Sequence, residues 1–210
     1  MSAAPITVLL ADDHPLFREG LRGLLLRDGR FDVVAEAADG ARAGALLRET
    51  PTQLAVLDHS MPQVSGLDVV RSVRTELPGT RFAILSSFGS PLLIAEALRA
   101  GTDGYLLKED SPRALADGFA RVAAGECVIS ASVDPAALQE ARNSLGVTPR
   151  ERDVLAGVVE GRSAAELAAA LGLSPRTVET YRNQLVVKFG ARNAVDLVRR
   201  AVVAGFIVTP

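Results

Sequence analysis

The chain has 210 residues, of which 48% are hydrophobic and 23% charged, a balance that is typical of a globular protein with one large or two small domains. No apolar run reaches the length of a membrane span, and the N-terminal segment lacks the basic region of a signal peptide. The single cysteine, Cys127, excludes an internal disulfide. We therefore expect a cytoplasmic protein without membrane contact. The net charge of −2 is unevenly spread, because residues 1–144 carry 14 basic and 19 acidic side chains (−5) whereas residues 145–210 carry 9 and 6 (+3), a division that is typical of a metal-binding module followed by a nucleic-acid-binding module.

The first 125 residues alternate short apolar runs with segments of helical periodicity. The nearly continuous apolar runs are typical of parallel strands buried on both faces. Serine followed by proline, as in Ser90-Pro91 and Ser111-Pro112, marks helix starts between them. We therefore predict an α/β domain over residues 1–125, with a five-stranded, doubly wound parallel sheet of the flavodoxin-like type. The predicted strands are Ile6–Leu10, Val33–Ala37, Leu54–Leu57, Phe82–Leu85 and Tyr105–Leu107.

The alternation stops after residue 125. Residues 126–146 have a mixed composition with breakers such as Gly146, which predicts a linker, with a short helix near Pro135–Arg142. Residues 147–210 have helical character throughout and predict a second, smaller all-α domain.

Three carboxylates follow predicted strands of the first domain. Asp12 and Asp13 come after the first strand, and Asp58 comes after the third. In an open α/β sheet, ligands bind beyond the carboxyl ends of the strands, so these side chains converge if the two strands are neighbours. Converging negative charges favour a cation among them, and Mg²⁺ is the hard divalent ion that such oxygen ligands suit.

Two further side chains would complete a phosphoryl-accepting site. Ser86 follows the fourth strand, and Lys108 follows the fifth. A carboxylate can act as a nucleophile and form an aspartyl phosphate, whose new charge needs a metal, an ammonium group and a hydroxyl around it. Lys108 is one of only two lysines among 23 basic residues, which favours a chemical role for it.

The segments ADDHPLFREGL, VLDHSMPQVSGLDVV, ILSS and GYLLK resemble, in order, the receiver domain of two-component response regulators. The resemblance implies that Asp58 is the phosphoacceptor, that Asp12, Asp13, Asp58 and the main-chain carbonyl of Ser60 hold Mg²⁺, and that Lys108 contacts the phosphoryl group. It also implies that Ser86 is the switch hydroxyl and that Tyr105 is the aromatic side chain that turns inward with it.

Three other interpretations of this pocket fit its residues less well. His14 and His59 flank the acids, but Mg²⁺ prefers oxygen, so neither is expected to be a ligand. A haloacid-dehalogenase-like phosphatase also forms an aspartyl phosphate, but that family needs a second aspartate where Ser60 stands. A regulator of this fold that is controlled by a small ligand or by dimerisation, without phosphorylation, usually lacks part of the pocket, and no part is missing here.

Residues 163–189 have the pattern of a helix-turn-helix. Capping boxes begin helices at Thr148 and Ser163, and Gly172 relaxes the turn before a helix that starts at Pro175. Val178, Leu185 and Phe189 share one face of this helix and are expected to pack inward. Polar side chains on the opposite face can read base edges in the major groove, although a helical protein-interaction module has a similar pattern.

The run VTPRERDVLAGVVEGRSAAELAAALGLSPRTVETYRNQLVVKFG resembles the DNA-binding domain of NarL/FixJ (LuxR-type) regulators. The resemblance implies base-facing positions at Glu179, Thr180 and Asn183. It implies phosphate contacts from Arg176, Thr177, Tyr181, Arg182 and Lys188. Many relatives have lysine where Glu179 stands; an acid there can accept a hydrogen bond from cytosine.

The two resemblances together imply a transcription factor rather than an enzyme. A sensor histidine kinase is expected to phosphorylate Asp58, and the receiver assists only its own phosphorylation and dephosphorylation. A phosphorylated homodimer is then expected to bind two half-sites of double-stranded DNA, about one helical turn apart.

Overall fold

The computed structural model describes residues 4–133 and 147–203. The chain divides into two compact units, the first comprising residues 4–89 and 100–133 and the second residues 90–99 and 147–203 of the described part. The short helix predicted near 135–142 lies outside the described residues. Within the described ranges, every helix falls short of the length and apolar character needed to cross a bilayer.

The predicted strands and helices of the first half are confirmed, with strand ends shifted by one or two residues. In chain order they are β1 (Ile6–Ala11), α1 (Pro15–Asp28), β2 (Phe31–Ala37), α2 (Gly40–Glu49), β3 (Leu54–Asp58), α3 (Gly66–Val73), β4 (Arg81–Ser86), α4 (Pro91–Ala100), β5 (Gly104–Leu107), α5 (Pro112–Ala123) and β6 (Val128–Ile129).

All six strands form one parallel sheet in the order β2-β1-β3-β4-β5-β6. Strands β1 and β3 are therefore neighbours, which meets the condition for their carboxylates to converge. Helices α1 and α5 pack together on one face, and α2 packs with α3 on the other. Strands β3 and β5 are buried along their whole length, as their apolar sequences predicted.

The sixth strand was not predicted, and it corrects the expected start of the linker. Val128 N donates to the Asp103 carbonyl and Ser130 N to the Tyr105 carbonyl, each at 2.9 Å. The Asp110 carboxylate also accepts hydrogen bonds from the hydroxyls of Ser130 and Ser132. Residues 126–133, assigned above to the linker, thus belong to the first unit.

The second half contains helices α6 (Pro149–Val159), α7 (Ala164–Leu171), α8 (Pro175–Lys188) and α9 (Ala194–Val203). Both predicted capping boxes are present, with Thr148 and Ser163 as the capping residues. Gly172 ends α7 at a φ of 66°, a left-handed conformation that glycine adopts without strain. Val178, Leu185 and Phe189 are fully buried. This confirms the predicted inward face of α8, which includes Phe189, the residue that follows the helix.

Candidate functional site

The ends of β1, β3 and β5 bring three of the predicted charged residues together. Lys108 Nζ lies 2.7 Å from Asp12 Oδ2 and 3.0 Å from Asp58 Oδ2. Both contacts are ion pairs. Asp12 and Asp58 are each only 3% exposed, so the ammonium group offsets negative charge that is shielded from water.

The local folds at these strand ends hold the carboxylates in place. Asp12 Oδ1 accepts a hydrogen bond of 2.8 Å from His14 N, at the start of α1. Asp58 Oδ1 accepts one of 3.3 Å from Ser60 N, in the loop that follows β3. The other oxygen of each carboxylate, Oδ2, is thereby left for the contact with Lys108.

Burial and neighbouring charges shift the pKa values in this pocket. Burial raises the pKa of the Asp58 carboxyl above its ordinary value, and negative Asp12 adds to the rise, while Lys108 opposes it. Burial acts to lower the pKa of Lys108, but the carboxylates of Asp12 and Asp58 outweigh it, so that pKa is raised. Lys108 is therefore charged at neutral pH.

The pocket has the donor set of a divalent-cation site. Buried oxygens of Asp12, Asp13 and Asp58 make no aligned hydrogen bond within the described residues. One ligand atom from each of them, together with one from His14, lies within 4.8 Å of the others. Carboxylate oxygens at this spacing fit a hard cation such as Mg²⁺. The exposed His14 ring contacts Asp13, with 2.8 Å between Nδ1 and Oδ1.

Ser86 and Tyr105 lie on two neighbouring strands, β4 and β5, and share one partner, Phe88. Ser86 Oγ accepts from Phe88 N at 3.0 Å and donates to the Phe88 carbonyl at 3.2 Å. The Tyr105 hydroxyl donates to the same carbonyl at 2.6 Å, and its ring is 1% exposed. The predicted switch residues are therefore linked through the main chain of the loop after β4, with Tyr105 in an inward position. Burial raises the pKa of Tyr105, so its hydroxyl keeps its proton at neutral pH.

Helix α8 presents the predicted base-facing side chains to solvent. Glu179, Thr180 and Asn183 are all exposed, as is Arg176 among the predicted phosphate contacts. Two more exposed side chains on α8, Gln184 and Val187, were not predicted; their spacing of four and seven residues from Thr180 was the signal that could have identified them.

Three predicted phosphate contacts have partners within the second unit instead. Lys188 Nζ lies 2.7 Å from the buried Glu151 carboxylate. Arg182 pairs with Glu179 at 3.0 Å. Thr177 hydrogen-bonds the Ser174 hydroxyl at 2.7 Å, at the start of α8. Lys188 is thus held by a buried carboxylate, although its side chain is 31% exposed, and its contact with phosphate stays a prediction.

One contact in the pocket was missed from the sequence. The ring of Phe17, on the first turn of α1, lies 4.7 Å from Lys108 Nζ, measured to the ring centroid. An aromatic residue four positions after Asp13 was the available signal, but only the sheet order shows that α1 and the end of β5 meet.

Both halves of the chain match known protein families. Residues 8–119 match the family described as response regulator receiver domain. Residues 146–201 match the bacterial regulatory proteins of the luxR family.

Relatives resemble the chain over most of its length. The transcriptional regulatory protein UhpA of Escherichia coli is 38% identical over 196 residues, which cover 93% of this chain and 97% of UhpA. The transcriptional regulatory protein MctR of Rhizobium johnstonii is 34% identical over 204 residues, covering 96% and 95%. The solved signal receiver domain of NarL from Mycobacterium tuberculosis is 35% identical, with a TM-score of 0.57, over 59% of this chain and 100% of that one. The names of the two relatives favour a transcriptional regulator over a phosphatase.

Proposed function

Because the chain belongs to the NarL/FixJ (LuxR-type) family of response regulators, we propose that Asp58 accepts a phosphoryl group from a sensor histidine kinase and that this event controls DNA binding by α8. The observation that carries the proposal is the convergence of Lys108 on Asp12 and Asp58, with a ligand atom of Asp13 in the same cluster. Since DNA and the kinase's phosphohistidine are inside the cell, the cytoplasm is the expected location.

The proposed step is an in-line displacement at phosphorus. An Asp58 oxygen forms the new O–P bond while the P–N bond to the kinase histidine breaks, and the histidine leaves with that electron pair. Lys108 Nζ and Ser86 Oγ donate hydrogen bonds to the phosphoryl oxygens as their charge grows. Mg²⁺ would be held by Asp12, Asp13, Asp58 and the Ser60 carbonyl, and when bound it would neutralise charge on the transferred group.

The phosphoryl group then changes the contacts of Ser86. Its hydroxyl leaves Phe88 and turns towards the phosphate, so the loop after β4 loses two hydrogen bonds. The Tyr105 hydroxyl keeps its bond to the Phe88 carbonyl and holds the loop in its new position.

The altered surface favours a homodimer, whose two α8 helices bind half-sites about 34 Å apart. Glu179, Thr180 and Asn183 face the bases, while Arg176, Thr177, Tyr181 and Arg182 contact phosphates.

Labelling with acetyl phosphate tests the phosphoacceptor. Asp58→Asn should abolish Mg²⁺-dependent labelling, because the amide is a poor nucleophile. Asp68→Asn is the matched control: Asp68 is an exposed capping residue of α3, so its loss should leave labelling unchanged. Full labelling of Asp58→Asn would refute the assignment. Labelled wild-type protein should also form more dimer and shift a DNA duplex at lower concentration than unlabelled protein.

Control by a small ligand without phosphorylation is the alternative that remains. Beryllofluoride with Mg²⁺ mimics an aspartyl phosphate, so a saturable response of wild-type protein supports phosphorylation. The absence of any response would favour the ligand-controlled alternative.

A further inference from the structure

The position of the Lys108 ammonium depends on more than its two carboxylate partners. Asp12 and Asp58 both contact Nζ, and the side chain is only 14% exposed. The Phe17 ring supplies a third contact, with its centroid 4.7 Å from Nζ. The face of an aromatic ring carries partial negative charge, so it attracts a cation at this distance.

The ring differs from the carboxylates in what happens when the site is used. Under the proposed function, Asp12 becomes a metal ligand and Asp58 becomes an acyl phosphate, so neither remains free to hold the ammonium group. Phe17 takes part in neither event. The ring therefore contributes more to holding Lys108 when the site is occupied, and both carboxylates have other partners, than it does at rest.

Phe17 is itself held in place by the first turn of α1. The ring is half-buried and packs against the core between the sheet and helices α1 and α5. The next residue, Arg18, donates a hydrogen bond of 2.6 Å to the Asp12 carbonyl and lies 3.5 Å from Glu36. The turn that carries the ring is thus tied to the strand end that carries the metal-binding carboxylates.

We propose, building on the phosphorylation assigned above, that Phe17 is a positioning residue that holds the Lys108 ammonium over its ring, ready to contact the phosphoryl group on Asp58. A leucine or methionine would fill the same space without attracting the cation. A tyrosine would keep the ring and its attraction.

The test compares Phe17→Leu with Phe17→Tyr in the full chain. The apparent dissociation constant for beryllofluoride, at fixed Mg²⁺, is measured by NMR titration. Phe17→Leu should weaken binding about five-fold, the scale of a lost cation–π contact, and Phe17→Tyr should restore it. In a Lys108→Met background, replacing Phe17 by Leu should cause no further weakening, because the cation is already absent. Phe17→Met replaces Phe17→Leu if the latter is unfolded.

Two outcomes overturn the positioning role and one overturns its premise. Equal beryllofluoride binding by wild type and Phe17→Leu would show that the ring does not act on the site. Equal weakening with and without the Lys108 ammonium would show that Phe17 acts only through packing. If wild-type protein shows no saturable response to beryllofluoride, the phosphorylation proposal itself fails. As an independent signature, the Lys108 ε-methylene protons should resonate upfield in wild type and in Phe17→Tyr, and return to ordinary positions in Phe17→Leu.

Discussion

Lys188 and Glu151 form a partly buried ion pair that joins the end of α8 to the start of α6. Nζ lies 2.7 Å from Oε2, and the same carboxylate oxygen caps α6 by accepting from the Thr148 main-chain N–H. This ion pair therefore anchors the C-terminal end of the proposed recognition helix, α8, to α6.

We expect Lys188→Met to destabilise the second unit rather than to weaken phosphate contact. Removing the ammonium leaves the Glu151 carboxylate buried without its cation, which should lower the free energy of unfolding by about 1–2 kcal/mol, because the lysine is itself partly exposed and screened. Chemical denaturation monitored by NMR signals of α8 measures the change. Asp153→Asn, which removes an exposed ion pair with Arg150, should have almost no effect. A reduced salt dependence of DNA binding with unchanged stability would contradict this expectation.

Acid should destabilise the second unit through two carboxylates. Burial acts to raise the pKa of Glu151, but Lys188 and Thr148 outweigh it, and the pKa falls below its ordinary 4.5. Burial also acts to raise the pKa of Asp196, but the charge of Arg200 outweighs it, and this pKa falls below its ordinary 3.8. Because both pKa values are lower in the folded state, their stabilisation is complete above about pH 5 and is lost as the pH falls through the folded values.

Thermal unfolding of α8, followed by NMR between pH 7 and pH 3, measures that loss. Glu151→Gln should be less stable than wild type at pH 7 and should lose less stability on acidification. An identical pH profile for wild type and Glu151→Gln would rule out a contribution from this pair.

Gly66→Ala should displace the main chain of Asp58, the proposed phosphoacceptor. A Cβ at this first residue of α3 would lie 2.3 Å from the Asp58 carbonyl oxygen, so the main chain of Asp58 must shift. We expect a loss of about 1–3 kcal/mol in unfolding free energy and slower labelling by acetyl phosphate.

Gly20→Ala is the matched control, because Gly20 is exposed in α1 and a Cβ there meets nothing within 4 Å. It should stabilise the protein by up to about 1 kcal/mol and leave labelling unchanged. Normal labelling and stability in Gly66→Ala would show that the loop after β3 can shift to accommodate the added Cβ without cost.

Glu179→Ala should change both the strength and the selectivity of DNA binding. The carboxylate lies 3.0 Å from Arg182, so its removal frees a guanidinium group for phosphate and deletes one repulsive charge. We expect tighter non-specific binding, a steeper salt dependence, and a weaker preference at one base pair by about 1–3 kcal/mol. Selection from random duplexes, together with salt titrations, measures these quantities.

Glu160→Ala makes the same change in net charge outside α8, where Glu160 pairs with Arg162 at 2.6 Å. It should leave the selected sequence unaltered. An equal change of preference in both variants would argue against base contact by Glu179.

The convergence of the acidic pocket was predictable because its residues follow strands of one parallel sheet. The carboxyl ends of such strands share an edge, so Asp12, Asp58 and Lys108 converge once the strand order is known. The inward face of α8 was predictable for a similar reason, since helical periodicity brings Val178 and Leu185 to one side.

The features that escaped prediction depend on tertiary contacts between distant segments. Lys188 pairs with a carboxylate 37 residues earlier, and a basic residue on a recognition helix has no local pattern that distinguishes this from a phosphate contact. Strand β6 has only two residues, too few for periodicity to indicate a strand. The Phe17–Lys108 contact joins α1 to the end of β5, and six helices and strands separate these two elements in sequence.

The short strand β6 has a practical consequence for any fragment of this protein. A receiver cut at residue 125 would lack both β6 and the serines that bind Asp110, and β5 would become an open sheet edge. Because β5 is apolar and buried along its length, such an edge invites pairing between molecules and aggregation. A fragment that extends to Val133 keeps this edge covered and should remain monomeric at concentrations where the shorter one precipitates.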